Sequence, residues 1–247
     1  MRYAFGTLSL LVLMLWNKDT RTLIFRVPSL HIYRAILLLS AISLYCYSLH
    51  KLPIATVMAL NFVIPIFTLI FAAILLKEKI SPQNIIATIC GFIGVCVIFE
   101  PSNKDFATSA ALLLLLSSAI FALLDVINKR FVVDEGPLKM VFYTASLTFL
   151  FSIPAATINW TPLHKTDIIL LFILGVGANL LLFFILKAFQ KVKVTDIAPL
   201  RYLELLFAFA AGFFIFHEIP PASTFWGVMI IIPSTLYIVL SSNSQEQ

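Results

Sequence analysis

Ala110-Ala111-Leu112-Leu113-Leu114-Leu115-Leu116-Ser117-Ser118-Ala119-Ile120-Phe121-Ala122-Leu123-Leu124 lies within a stretch, 106 to 124, that carries no Lys, Arg, Asp or Glu. At 1.5 Å per residue a helix needs about 20 such residues to cross a hydrocarbon core of roughly 30 Å. Neither this run nor Ile230-Ile231-Ile232 alternates polar with apolar residues, so a membrane β-barrel is rejected. Uncharged blocks recur at 3 to 17, 35 to 50, 52 to 76, 80 to 99, 140 to 164, 168 to 186, 205 to 217 and 219 to 245, giving nine candidate spans in all. The 247 residues are 61% hydrophobic and 12% charged, about half the charged fraction of roughly 25% usual in soluble domains. The expected fold is all-α and integral to the membrane, with the lipid bilayer as a partner.

The formal charge of +5 is distributed by loop. Taking Lys and Arg in alternate loops, Lys18, Arg21, Arg26, Arg34, Lys77, Lys79, Lys129, Arg130, Lys139, Lys187, Lys191 and Lys193 fall on one side. Only Arg2, Lys51, Lys104 and Lys165 fall on the other, with Arg201 left inside a helix. The richer side is cytoplasmic by the positive-inside rule, which predicts a cytoplasmic C-terminus and Met1 outside. The basicity thus sets topology, and no nucleic-acid partner is expected. Met1 to Trp16 has the apolar character of a signal peptide, but no small-x-small cleavage pattern precedes Asn17-Lys18-Asp19, so it reads as the first span. Cys46, Cys90 and Cys96 lie in apolar blocks without CxxC spacing and read as packing residues.

A second layer of order emerges when the chain is laid on itself with an offset of 140 residues. Ser48-Leu49-His50-Lys51-Leu52-Pro53-Ile54-Ala55-Thr56 then falls on Ala188-Phe189-Gln190-Lys191-Val192-Lys193-Val194-Thr195-Asp196. The same register places Phe67 on Phe207, Ala72 on Gly212 and Glu78 on Glu218. Spans near 3 to 17, 30 to 50, 54 to 76 and 84 to 100 match those near 143 to 158, 170 to 190, 194 to 216 and 223 to 240. The span near 107 to 127 has its counterpart before Met1. The expected organisation is two repeats, 1–103 with four helices and 104–247 with five, the first lacking its opening helix. An odd number of helices per unit inverts one repeat against the other, a recurring transporter design with its site near the bilayer midplane.

Pro65-Ile66-Phe67 through Leu76-Lys77-Glu78, and Glu204 through Phe216-His217-Glu218 followed by Gly227, resemble the EamA-type branch of the drug/metabolite transporter superfamily. The resemblance implies ten helices in two inverted five-helix repeats and a place in the cell inner membrane. Glu204-Leu205 stands where that family commonly has Glu-Pro, which puts a kink there in doubt. Leu124-Asp125-Val126-Ile127-Asn128-Lys129-Arg130-Phe131, Leu200-Arg201-Tyr202-Leu203-Glu204-Leu205 and Trp226-Gly227 through Ser234-Thr235 are similar to a narrower group. It comprises the permeases that import S-adenosylmethionine in rickettsia-like intracellular bacteria. The substrate that this resemblance implies is S-adenosylmethionine or a similar metabolite, with exchange against its demethylated product or proton coupling both open.

Arg201 and Glu204 are the most informative pair, since a helix entering near Val194 reaches them after about 10 and 15 Å. Ionisable groups at that depth cost roughly 2.5 to 3.5 kcal/mol and belong in the bundle interior or a wet cavity. Glu204 suits a cationic centre, Arg201 a substrate carboxylate, and Tyr202 an adenine or sulfonium. The plainer alternative is that Arg201 and Glu204, spaced i to i+3, only neutralise each other. Their repeat mates are Asn61 and Phe62, followed by Pro65, which should weaken the helix one turn back because it has no N–H. Tyr45, Tyr47 and Asn179, on equivalent second helices, are candidate pocket walls. Asp125 is a further candidate, although Asp125 and Lys129 at i and i+4 fit an interfacial salt bridge. Gly91, Gly94, Gly175 and Gly177 are expected to admit close helix packing, and Glu78 and Glu218 to cap or anchor loops.

No P-loop, GxSxG or HExxH occurs, and His31, His50, His164 and His217 are scattered over separate loops and span ends. No enzymatic activity, cofactor or metal is expected. A structural or assembly role would not need Arg and Glu in mid-membrane. The alternatives within transport are another amino-acid-like or amine metabolite, or a shortened member that does not transport. A homodimer stays open.

Overall fold

In a computed structural model the described residues are 1–16, 27–52, 54–99, 108–158, 164–217 and 222–243. All regular elements among them are helical: α1 (Arg2–Trp16), α2 (Pro28–Leu49), α3 (Ile54–Asn61), α4 (Ile64–Phe71), α5 (Pro82–Phe99), α6 (Thr108–Glu135), α7 (Pro137–Ile158), α8 (Lys165–Lys191), α9 (Val194–Ile197), α10 (Glu204–Phe216) and α11 (Ala222–Asn243). A π-helical turn, Ala72–Leu76, ends α4, and a 3-10 turn, Ala198–Leu203, joins α9 to α10. Five stretches are long and apolar enough to cross a membrane: Pro28–Leu49, Thr56–Leu76, Ser109–Glu135, Pro137–Ile158 and Lys165–Lys191. Shorter apolar helices cover Arg2–Leu15, Pro82–Val97 and Phe225–Thr235. The basic residues Lys18, Arg21, Arg26 and Lys104, and Glu218, lie outside the described residues.

Helix starts follow proline. α2, α5 and α7 begin at Pro28, Pro82 and Pro137, where the missing N–H would have had no intrahelical partner. Gly136 alone separates α6 from α7; its φ of +80° and its N–H to Val132 O, 3.0 Å, make the left-handed cap that other residues adopt at a cost. α3 ends at Asn61 and α4 starts at Ile64, so the chain breaks where Pro65 has no N–H to give the Asn61 carbonyl. Near Glu204-Leu205 the distortion comes earlier, in the 3-10 turn that contains Pro199. Among the described residues the two non-glycine residues of positive φ, Lys77 (55°) and His217 (56°), are 140 residues apart, the register of the sequence repeat.

The chain forms two compact units. The first combines Met1–Ser40 with Ile127–Lys191. There α1 packs on α7 and α8; a Cβ at Gly175 would meet the Arg2 backbone, and Phe5 meets Phe172 edge-on at 5.8 Å. Gly177, expected at a close contact, faces open space instead. Only 6% of the most apolar part of α8 is buried, and Ile169, Leu170, Ile173 and Leu181 are open, as suits a helix against lipid.

The second unit combines Ala41–Val126 with Val192–Gln247. α5 runs along α11, with Gly94 against Gly227 O and Ile231. One core cluster is Ala59, Phe62, Val95, Tyr202, Leu205 and Ile231. Another is Leu52, Val57, Ala110, Ala111 and Leu114. Ser48 Oγ donates to Ala110 O at 2.9 Å and Ser117 Oγ to Ala41 O at 2.7 Å, joining α2 to α6 by the hydroxyl-to-carbonyl bonds common between membrane helices.

Candidate functional site

The α9 and 3-10 segment is held at its start by side chains from other helices. Glu78 accepts from Val194 N at 3.4 Å, Thr195 N at 3.3 Å and Thr195 Oγ1 at 3.0 Å, placing a carboxylate on the first free amides of α9. Glu78 thereby caps a helix. Asn84 Nδ2 donates to Asp196 Oδ1 at 2.7 Å. One turn on, Tyr202 is fully buried; its hydroxyl donates to Thr88 O at 3.2 Å and its ring stacks on Phe62 at 6.0 Å between centroids. Both rings belong to a buried core cluster, and the next charged residue of the segment lies between Leu200 and Tyr202.

That residue is Arg201. Its Nη2 lies 3.2 Å from Asp125 Oδ2, and the two side chains keep 28% and 15% of their surface open. Neither local pairing suggested by the sequence forms: Arg201 turns to Asp125 rather than Glu204, and Lys129 donates from Nζ to Phe189 O at 2.5 Å rather than bridging Asp125. α6 continues to Glu135, which leaves Asp125 about 15 Å inside its end. Each of the three polar residues Asp125, Asn128 and Lys129 finds a partner on another helix.

Glu204, at the first position of α10, is exposed. Among the described residues it makes no ion pair or hydrogen bond. Ionisable groups within membrane helices almost always face the bundle interior or a water-filled cavity. Tyr45, Tyr47, Asn61, Phe62, Asp125, Arg201, Tyr202 and Glu204 all belong to the second unit. Asn61 is partly buried at the end of α3, and Tyr47 is half exposed. Asn179 belongs to the first unit, on α8, where its Nδ2 is buried against Gly6 of α1.

A second polar cluster, not expected from the sequence, lies in the first unit. In the first unit Arg34 is buried at 1% exposure; its Nε donates to Asn128 Oδ1 at 2.8 Å, its Nη1 to Met140 O at 3.1 Å, and Nη1 lies 3.5 Å from His31 Nδ1. His31 Nε2 is 3.7 Å from Glu135 Oε2, and Glu135 Oε1 accepts from Val27 N at 3.0 Å. Arg34 counts in the sequence only as one more positive loop charge. The signal available was its position seven residues into a helix that starts at Pro28.

Gly91 ties packing to the site, since any Cβ there runs into the Tyr202 ring. Gly91→Leu is expected to lose roughly 1 to 3 kcal/mol by overpacking and to displace Arg201 through its neighbour. Gly177→Leu, with open space around it, is expected to stay within about 0.5 kcal/mol of the parent. Thermal unfolding in detergent compares the two directly.

Five long apolar helices and several shorter ones among the described residues define a multi-pass membrane protein. The chain belongs to the EamA-like transporter family, which matches residues 1–100 and 108–240. Over 214 residues it is 44% identical to the S-adenosylmethionine uptake transporter of Rickettsia prowazekii, covering 87% of this chain and 72% of that one. The protein of the same name from Rickettsia felis is 40% identical over 240 residues, covering 97% and 81%. A protein of known crystal structure shares the fold at a TM-score of 0.79 and 14% identity, covering 100% of this chain and 87% of the other. The chain is accordingly a transporter and not an enzyme.

Proposed function

We propose that this chain takes up S-adenosylmethionine across the inner membrane, by alternating access and with its C-terminus in the cytoplasm. The observation that carries this proposal is the 44% identity to a rickettsial protein of that named activity. The chemistry of the second unit supports it. Arg201, Asp125 and Glu204 together carry one net negative charge, and S-adenosylmethionine, with a sulfonium, an ammonium and a carboxylate, carries one net positive charge. Arg201 takes the carboxylate, Glu204 faces the sulfonium, and Tyr45 with Tyr47 and Asn61 lines the adenosine end. Tyr202 and Phe62 hold Arg201 in place from the core.

The architecture proposed with this function is nine visible spans of two inverted repeats, 1–103 and 104–247. Support comes from the pairing of Lys77 with His217, of the Ile64 helix start with the Glu204 start, and of the Pro82 start with the Ala222 start, each at the same 140-residue offset.

Labelled S-adenosylmethionine supplied to host cells that lack an importer for it tests the activity. Accumulation well above empty-vector background is expected. Background accumulation, with membrane insertion confirmed, would overturn the proposal.

A further inference from the structure

Arg201 and Asp125 reach each other from different segments of the second unit, the 3-10 turn and α6. A guanidinium has five N–H donors in a planar fork, and among the described residues Asp125 is the only ion-pair partner that Arg201 has. The contact is not sealed: both side chains stay partly open, and open charged groups within apolar helices face water rather than lipid. If the pair served only to join α6 to the 3-10 turn, an apolar pair of the same volume would do as well, since desolvation offsets most of the attraction between buried ions. Closely adjacent opposite charges, open on one side, instead match the α-carbon end of an amino acid, where a carboxylate and an ammonium sit on the same atom.

Resting on the uptake proposal above, we infer that Arg201 and Asp125 form a receptor for the α-amino-acid zwitterion of the substrate. The substrate carboxylate takes the free donors of Arg201 bidentately, and its ammonium takes the Asp125 carboxylate. Without substrate the two residues neutralise each other, so the site carries no uncompensated pair charge while unloaded. Asp125 thus reads substrate and does not merely brace a helix. The site then selects for the amino-acid end of S-adenosylmethionine, in addition to its sulfonium.

Binding to purified protein in detergent tests this with two matched probe pairs: S-adenosylmethionine against its decarboxylated form, and methionine against 3-methylthiopropylamine. Each pair differs in the carboxylate alone. Removing the carboxylate is expected to weaken binding roughly 10- to 100-fold, the range for a charge-assisted hydrogen bond. Arg201→Gln should shrink that ratio to about threefold or less, and Asp125→Asn should weaken the zwitterionic probes more than their deaminated analogues. Because the wild-type ratio needs no variant, misfolding of Arg201→Gln leaves the test standing. Equal binding within both pairs, or no binding of either zwitterion, overturns the inference. Carboxylate-dependent binding of methionine with no binding of S-adenosylmethionine would sink the uptake proposal and leave the receptor intact.

Discussion

Arg34→Met is expected to lose roughly 3 to 5 kcal/mol of stability, the range for removing one partner from a buried charged network. Methionine fills much of the same volume, so the loss would come from polar groups and not from a cavity. Asn128 Oδ1 loses its donor, Met140 O is left with Thr144 Oγ1, and the Glu135 charge, reached through His31, loses the cation that balances it. In a medium without water each orphaned group keeps its full desolvation penalty. A fall in melting temperature on the order of 10 °C follows for a chain of this size. Thermal unfolding in detergent reads it, and Glu135→Gln in the Arg34→Met background should cost less than in the parent, because the two act in one network. An unchanged melting temperature would mean that the cluster carries no net stability.

Glu204→Gln is expected to cut S-adenosylmethionine uptake roughly 10- to 100-fold while leaving insertion and melting near the parent. The contrast with Arg34 follows from exposure. Glu204 is open and without an ion-pair partner among the described residues, so neutralising it strands no buried group. What it loses is attraction for a permanently charged sulfonium, and a sulfonium cannot be matched by the amide that replaces the carboxylate. Initial uptake rates in cells, normalised to protein in the membrane, measure the effect. Undiminished uptake would remove Glu204 from the site.

The fold could be read from the sequence wherever local chemistry is decisive. Runs without charge, such as Leu112 to Leu116, can only be buried in lipid or protein, and Pro28, Pro82 and Pro137 start helices because they have no N–H to lose. The limits of the spans were harder. Asp125, Asn128 and Lys129 look like the end of a helix because polar residues usually meet water, yet α6 continues through them to Glu135. Their partners, Arg201, Arg34 and Phe189 O, lie far away in sequence. For the same reason i to i+3 and i to i+4 spacing pointed to two local ion pairs that do not form: spacing shows which groups are near on one helix, not which helix packs alongside. Arg34 was hidden in the charge count, since the positive-inside rule treats every loop cation alike. The glycines divide likewise, with Gly91, Gly94 and Gly175 at close contacts and Gly177 open.

The most direct test of the account is uptake of labelled S-adenosylmethionine into sealed proteoliposomes holding the purified chain, compared with Arg201→Gln. Saturable uptake by the parent, competed by unlabelled S-adenosylmethionine and reduced at least tenfold in the variant, is the result expected on the order of one charge-assisted contact. No saturable uptake by folded, correctly inserted parent protein would contradict it.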